Sequence, residues 1–243
     1  MKLVPLASSS SGNAYVLECA SGALLVDCGI SYRMLGALYD VKKLSAVLIT
    51  HDHVDHVSGL ARLVKERALP VYANVMTAEA IQASGEIADD AFVCFENGQS
   101  FEIGAMEVTP FSIPHDAVDP VGYLVKAEGE TYFHGTDIGS PLDSIGGKLS
   151  EADIATLESN HDTRLLFGSN RPHSLIQRIA GPRGHLANDE AADLVKRFAS
   201  PKLKRLYLAH LSHQCNDPLL ARSTMLEALK SIGRADVELE VCA

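Results

Sequence analysis

"LITHDHVDHVSGL", Leu48 to Leu60, sets His51, His53, Asp55 and His56 within six residues, directly after an apolar run. The run "AVLIT" reads as a buried strand, so the histidines fall in the loop beyond its end, and "VSGLARLVKER" reads as the helix that follows. Side chains at i and i+2 of extended backbone share a face, which lets His51 and His53 meet one metal ion. Asp55 and His56 come after the chain has turned and reach toward a second. Three imidazoles and a carboxylate so placed after a strand are poorly explained as a chance polar loop.

One loop cannot complete two coordination shells, so further ligands must come from distant strand ends. His115 closes "VTPFSIPH", Asp137 closes "TYFHGTD" and His210 closes "RLYLAH", each at the end of an apolar run. Strands that deliver ligands at their ends to one sheet edge would assemble such a site. Asp137 is the natural bridge, because a carboxylate can give one oxygen to each ion.

The rest of the chain bounds the fold. Its 243 residues, 47% hydrophobic, are enough for one sizeable core, and a single domain over 1-243 is expected. "KLVPLA", "NAYVLEC", "ALLVDCG", "AVLIT", "PVYAN", "MEVTPFSI" and "GYLVKA" read as strands. "VSGLARLVKERAL", "TAEAIQAS", "ANDEAADLVKRFA" and "PLLARSTMLEALKSI" carry helical periodicity. The class is α/β, and tight turns at "ASG" and "AEGE" point to antiparallel hairpins, unlike a doubly wound dinucleotide-binding domain. Asn188 is available as the N-cap of "DEAADLVKRF", which puts His185 just ahead of a helix N-terminus, where an anion is welcome.

No stretch approaches the roughly 20 apolar residues that span a bilayer. "MKLVPLASSS" lacks the apolar region of a signal peptide, so a cytoplasmic protein without a membrane partner is expected. The five cysteines are odd in number, scattered and never spaced Cys-x-x-Cys, which suits reduced thiols; Cys215 is a minor candidate ligand. The net charge of −10 is uneven: Arg164 to Arg205 holds nine Lys/Arg against three acids, while Glu86 to Glu107 holds six acids and no base. These are either solvated helix faces or a basic wall beside an acidic body.

His51, His53, Asp55 and His56 match the His-x-His-x-Asp-His motif, and the chain resembles the metallo-β-lactamase superfamily. That resemblance implies a four-layer αββα sandwich with a binuclear site on one edge. It further implies that His51, His53 and His115 hold one ion, that Asp55, His56 and His210 hold the other, and that Asp137 bridges them. "LASSSSGNAYVLE", "ESNHD" at Glu158–Asp162, "GHLAN" at Gly184–Asn188 and "LAHLS" at Leu208–Ser212 look like the YycJ/WalJ family of metallo-hydrolases, known as exonucleases. The later motifs are also similar in order and spacing to the ribonuclease Z branch, which implies that Glu158 orients His185 and that His185 faces the scissile phosphate. Ala187 and His213 depart from the family pattern, which often has Ser and Gln there.

The chemistry expected is phosphodiester hydrolysis with two divalent ions, zinc or manganese, activating a bridging hydroxide that attacks phosphorus in line. The catalytic set is Asp55, Glu158 and His185, with His185 supporting the phosphate or the departing alkoxide. His185 packing at a helix start is the competing reading. Asp27 hydrogen-bonds a ligand histidine or is a turn aspartate, and Ser11, Gly12 and Asn13 approach a phosphate or form an ordinary turn. His134 is expected in the core, His161 near the site, His173 in solvent and His213 turned elsewhere. The function expected is a 5′-to-3′ DNA exonuclease. The alternatives are an RNA-processing nuclease, a thioester or lactone hydrolase of the same fold, and a binding protein that has lost catalysis.

Overall fold

The computed structural model describes residues 1–83, 85 and 87–242; Glu86, which opens the acidic stretch, lies outside the described residues. Among the described residues the strands form two sheets. In the first, β1 (Lys2–Ser9), β2 (Gly12–Cys19), β3 (Gly22–Val26), β4 (Leu44–Leu48), β5 (Val71–Asn74) and β6 (Phe92–Phe95) follow chain order. The second holds β7 (Phe101–Ile103), β8 (Met106–Ser112), β9 (Val121–Ala127), β10 (Glu130–Gly135), β11 (Ile154–Glu158), β12 (Arg205–Ala209) and β13 (Glu238–Val241), in the order β13-β12-β11-β10-β9-β8-β7. The helices are α1 (Tyr32–Leu38), α2 (Val54–Val57), α3 (Leu60–Arg67), α4 (Val75–Gln82), α5 (Asp143–Leu149), α6 (Thr163–Phe167), α7 (His173–Ile179), α8 (Asn188–Phe198) and α9 (Pro218–Ser231). No helix among the described residues is long and apolar enough to cross a membrane.

Two compact units divide the chain: 1–112 with 117–121 and 125–129, and 113–116 with 122–124 and 130–243. In the first, β1, β2 and β3 are antiparallel hairpins and β3 to β6 run parallel. Val16, Leu25, Val47 and Val71 form an apolar layer with Leu35 of α1, Leu63 of α3 and Ile81 of α4. β4 buries every side chain but Ser45, the near-continuous apolar run that a parallel strand covered on both faces requires.

The helix expected over "VSGLARLVKER" is broken. Asp55 and His56 lie in the single-turn α2, and α3 starts only at Leu60. The break comes from the segment Cys28–Ile30 lying directly against α2: Cys28 N donates to His56 O at 2.7 Å and Gly59 N donates to Cys28 O at 2.8 Å. A Cβ on Gly29 would stand 1.6 Å from the Asp55 carbonyl oxygen, and one on Gly59 1.9 Å from that of Ile30. Only glycine permits this approach, which fixes where α2 presents its side chains.

In the second unit β10, β11, β12 and β13 run parallel, which sets their C-terminal ends side by side. α8 packs against α5 and α9, burying Ala191, Leu194 and Val195. Its N-cap is Ala187 and not the expected Asn188. Asn188 is buried, and its side chain is committed elsewhere: Oδ1 accepts from Ser159 Oγ at 2.7 Å and Nδ2 donates to Asn216 at 2.8 Å. The Glu190 carboxylate takes the Ala187 N–H instead, at 2.9 Å. Leu166 of α6, Ile176 and Ile179 of α7, and Cys215 make a small separate apolar cluster.

Candidate active site

The first unit builds a histidine group on the end of β4. The His51 ring stands edge-on to His53 with centroids 4.7 Å apart, and 4.0 Å from the ring of His56. His56 Nδ1 donates to Asp27 Oδ2 at 2.7 Å, and Thr50 donates to the same carboxylate from its N–H at 2.9 Å and from its hydroxyl. Thr50 Oγ1 is also 2.9 Å from His51 Nδ1. With Nδ1 engaged on both rings, Nε2 is the nitrogen each can offer to a metal, the arrangement that orients a ligating imidazole. Asp27 is fully buried and left-handed at φ 59°, so it is no ordinary surface turn aspartate.

Asn13 belongs to this group. Its Nδ2 lies 3.1 Å from His56 Nε2 and 3.3 Å from Asp55 Oδ2. Of the segment Ser11 to Asn13, Ser11 is exposed in the β1–β2 turn, while Asn13 is buried and directed at the histidine loop.

The second unit gathers Asp137, Glu158, His185 and His210, whose ligand atoms all lie within 4.8 Å of one another. Their proximity follows from topology, since Asp137 follows β10, Glu158 ends β11 and His210 follows β12, three neighbours in one parallel sheet. Asp137 and His210 are left-handed, at φ 58° and 55°. Such conformations are uncommon in residues with a side chain and gather at functional sites.

Glu158 is fully buried. Its Oε1 accepts from Nδ1 of His185 at 2.8 Å and of His210 at 2.9 Å; its Oε2 accepts from the backbone of Ile138 at 2.7 Å and Leu186 at 3.1 Å. Burial pushes this carboxyl upward, but the charge and hydrogen bond of His185 and the hydrogen bond of His210 outweigh it and bring it down to about 2. His115 donates from Nδ1 to the Gly184 carbonyl at 3.0 Å, and its Nε2 is 3.6 Å from Asp137 Oδ1. Burial holds His115 below the usual histidine range, favouring the neutral imidazole that ligates metal. The His185 side chain is 21% exposed against 2% for His210, so His185 is the ring that reaches outward.

The remaining candidates fall outside these groups. His134 is in the core, 2.9 Å from Tyr132 Oη. His161 is buried, bridged through its backbone to Ala187, and lowered by that burial. His173 and His213 are exposed, and Cys215 sits in the apolar cluster, so its sulfur has no place among the ligands. All five cysteines are free. The basic segment is divided: Lys204 and Arg205 pair with Glu130, Asp153 and Glu238, and Arg197 with Asp143 and Asp193. Arg178 pairs with Asp116, and Arg183 Nε donates to the His115 carbonyl at 2.9 Å.

Mixed imidazole and carboxylate donors, with ring nitrogens fixed by buried partners, suit a divalent metal. The sequence pattern of the β-lactamase superfamily domain matches residues 23–211. The chain belongs to the metallo-β-lactamase superfamily of hydrolases, among its YycJ/WalJ-like members. It is 34% identical over 232 residues to the exodeoxyribonuclease WalJ of Streptococcus pneumoniae, covering 92% of this chain and 86% of that one. It is also 34% identical over 234 residues to the exodeoxyribonuclease YycJ of Bacillus anthracis, covering 94% and 89%. The crystal structure of the metallo-β-lactamase fold protein YhfI from Bacillus subtilis aligns with a TM-score of 0.74 at 21% identity, covering 98% and 95%. The fold class read from the sequence is therefore the one found: two sheets with helices, in the metallo-β-lactamase fold.

Proposed function

We propose that this chain is a metal-dependent phosphodiesterase, a 5′-to-3′ DNA exonuclease, working as one domain over 1-243 in the cytoplasm. His51, His53 and His115 would hold one divalent ion and Asp55, His56 and His210 a second, with Asp137 shared between them, and the ions would supply an activated water nucleophile. Zinc or manganese suits such a set. The observation that carries the reading is Glu158, buried and shared between His185 and His210. A phosphodiester leaves an alkoxide that must take a proton, and His185, oriented by Glu158, is placed to give it. The names of the two relatives supply the substrate class.

Bound ions would lower the pKa of a water nucleophile and offset phosphate charge. The protein's own residues do the rest. Glu158 holds the His185 ring by Nδ1–H, so that in the imidazolium form Nε2–H meets a phosphate oxygen or passes its proton to the leaving oxygen. Asp27 and Thr50 hold the His51 and His56 rings, and Arg183 adds positive charge beside His115.

The test is to incubate the protein with Mn²⁺ or Zn²⁺ and end-labelled, 5′-phosphorylated duplex DNA, beside matched RNA. The expected result is stepwise loss from the 5′ end, abolished by Asp137→Ala and slowed by His185→Ala. Intact DNA with metal-loaded protein overturns the reading, and degradation of RNA alone transfers it to RNA processing.

A further inference from the structure

From Thr163 to Asn188 the chain carries four arginines and no acidic residue. Three of the four are held in place: Arg171 by Gln214, Arg178 by Asp116 and Arg183 by the His115 carbonyl. Arg164 is exposed and, among the described residues, makes no ion pair. It sits in α6, a helix whose apolar residues divide sharply. Leu166 is fully buried against Ile176, Ile179 and Cys215, whereas Leu165 is 43% and Phe167 58% exposed. Leu166 alone therefore anchors the helix, and packing leaves the Phe167 ring unexplained.

The placement gives the ring a use. Four residues separate Glu158 at the end of β11 from the start of α6. Asp162 fixes that connection, its N–H donating to Cys215 O at 2.9 Å and its Oδ1 accepting from the N–H groups of Arg164 and Leu165 at 2.9 Å. Arg164 and Phe167 are i and i+3 on the helix, neighbours with Cβ atoms about 5–6 Å apart. A cation beside an open aromatic face is complementary to unpaired nucleotides, which offer both a phosphate and a bare base. A paired base has no free face for the ring.

We propose that α6 is a platform for single-stranded nucleic acid, with Phe167 stacking on a base and Arg164 holding a phosphate of the same strand. The inference rests on the nuclease reading for its substrate class. The test is fluorescence anisotropy of the full chain in EDTA with a 5′-phosphorylated oligodeoxynucleotide of roughly 12 nucleotides. Phe167→Ala should weaken binding about fivefold or more, with Phe167→Trp restoring it. Arg164→Ala should reduce the slope of log K against log salt by about 0.7, the loss of one phosphate contact on a single strand. Both side chains are exposed, so unchanged melting temperatures check the fold of each variant. Wild-type affinity in Phe167→Ala, or a wild type that does not bind the strand, overturns the platform and leaves the face to a protein partner. The Mn²⁺-loaded wild type on a 5′-phosphorylated duplex judges the reaction separately. Shortening of the duplex with single-strand binding unaltered in the variants removes only the platform; no shortening of the duplex, with binding still lost in Phe167→Ala, removes the nuclease reading and keeps the platform.

Discussion

Glu158 accepts from His185 Nδ1 at 2.8 Å, and the same oxygen accepts from His210 Nδ1 at 2.9 Å. One carboxylate thus sets the tautomers of the proposed proton carrier and of a proposed metal ligand. Held down to about 2, it stays charged throughout neutral pH. Glu158→Gln is expected to lower kcat on DNA by about 100-fold or more and to weaken metal retention by about tenfold or more. His185→Ala should lower kcat with metal content unchanged. Elemental analysis after dialysis, beside single-turnover rates, separates the two, and equal metal loss in both variants would contradict the shared role.

Asp27 makes the corresponding contact in the first unit, 2.7 Å from His56 Nδ1, and takes two further hydrogen bonds from Thr50. Asp27→Asn keeps the left-handed backbone, which asparagine tolerates, but removes the charge. The metal concentration for half-maximal activity should rise about 10–100-fold, with near-normal rates at saturation. A Mn²⁺ titration of the variant measures this, and an unshifted midpoint would show that Asp27 does not support the ligand.

The histidine loop was legible in the sequence because a proposed metal site demands rare side chains at fixed spacing after an apolar strand, and His51 to His56 meet that demand in six residues. The strands read correctly, β1 to β5, β8 to β10 and β12, are apolar runs bounded for the most part by turn residues. β6 escapes notice because "FVCF" leaves Val93 and Cys94 exposed and has no alternation, and α6 and α7 are too short for a helical period. The same limit hid the second hydrogen bond of Glu158, from His210, the approach of Asn13 to His56 and the diversion of Asn188 from capping. Each depends on which distant segment arrives beside it, and local propensity does not encode that. The left-handed turns at Asp27, Asp137 and His210 are likewise set by tertiary context, since none is a glycine whose presence would announce them.

Asn216 shows what such hidden contacts contribute. Its Nδ2 donates to Ser159 O at 2.8 Å, Asn160 O at 3.0 Å and Asn188 Oδ1 at 2.9 Å, tying the segments after β11 and before α9 to the start of α8. Asn160 in turn donates to the His210 carbonyl at 2.8 Å. Asn216→Ala strands buried carbonyl groups, so a loss of about 1–3 kcal/mol is expected. Urea denaturation measures it, and a change below about 0.5 kcal/mol would place Asn216 with ordinary surface positions.

Cys28 supplies a pH test. It is fully buried beside α2, and burial, with the Asp27 charge second, pushes its thiol up to about 12. An unfolded cysteine ionises near pH 8.5. Between those values the unfolded chain has released the proton and the folded chain has not, so stability falls as pH rises through that window. Cys242, also buried and raised to about 12, adds the same sign. Denaturation midpoints should decline from about pH 8.5 upward, and Cys28→Ala should remove about one proton from that dependence. In parallel, iodoacetamide at pH 8 should label the exposed Cys94 first and leave Cys28 and Cys242 intact until the chain unfolds. Labelling of Cys28 as fast as Cys94 in the folded protein would show that the contact of Cys28–Ile30 with α2 opens readily, and the pH dependence would then lose its basis.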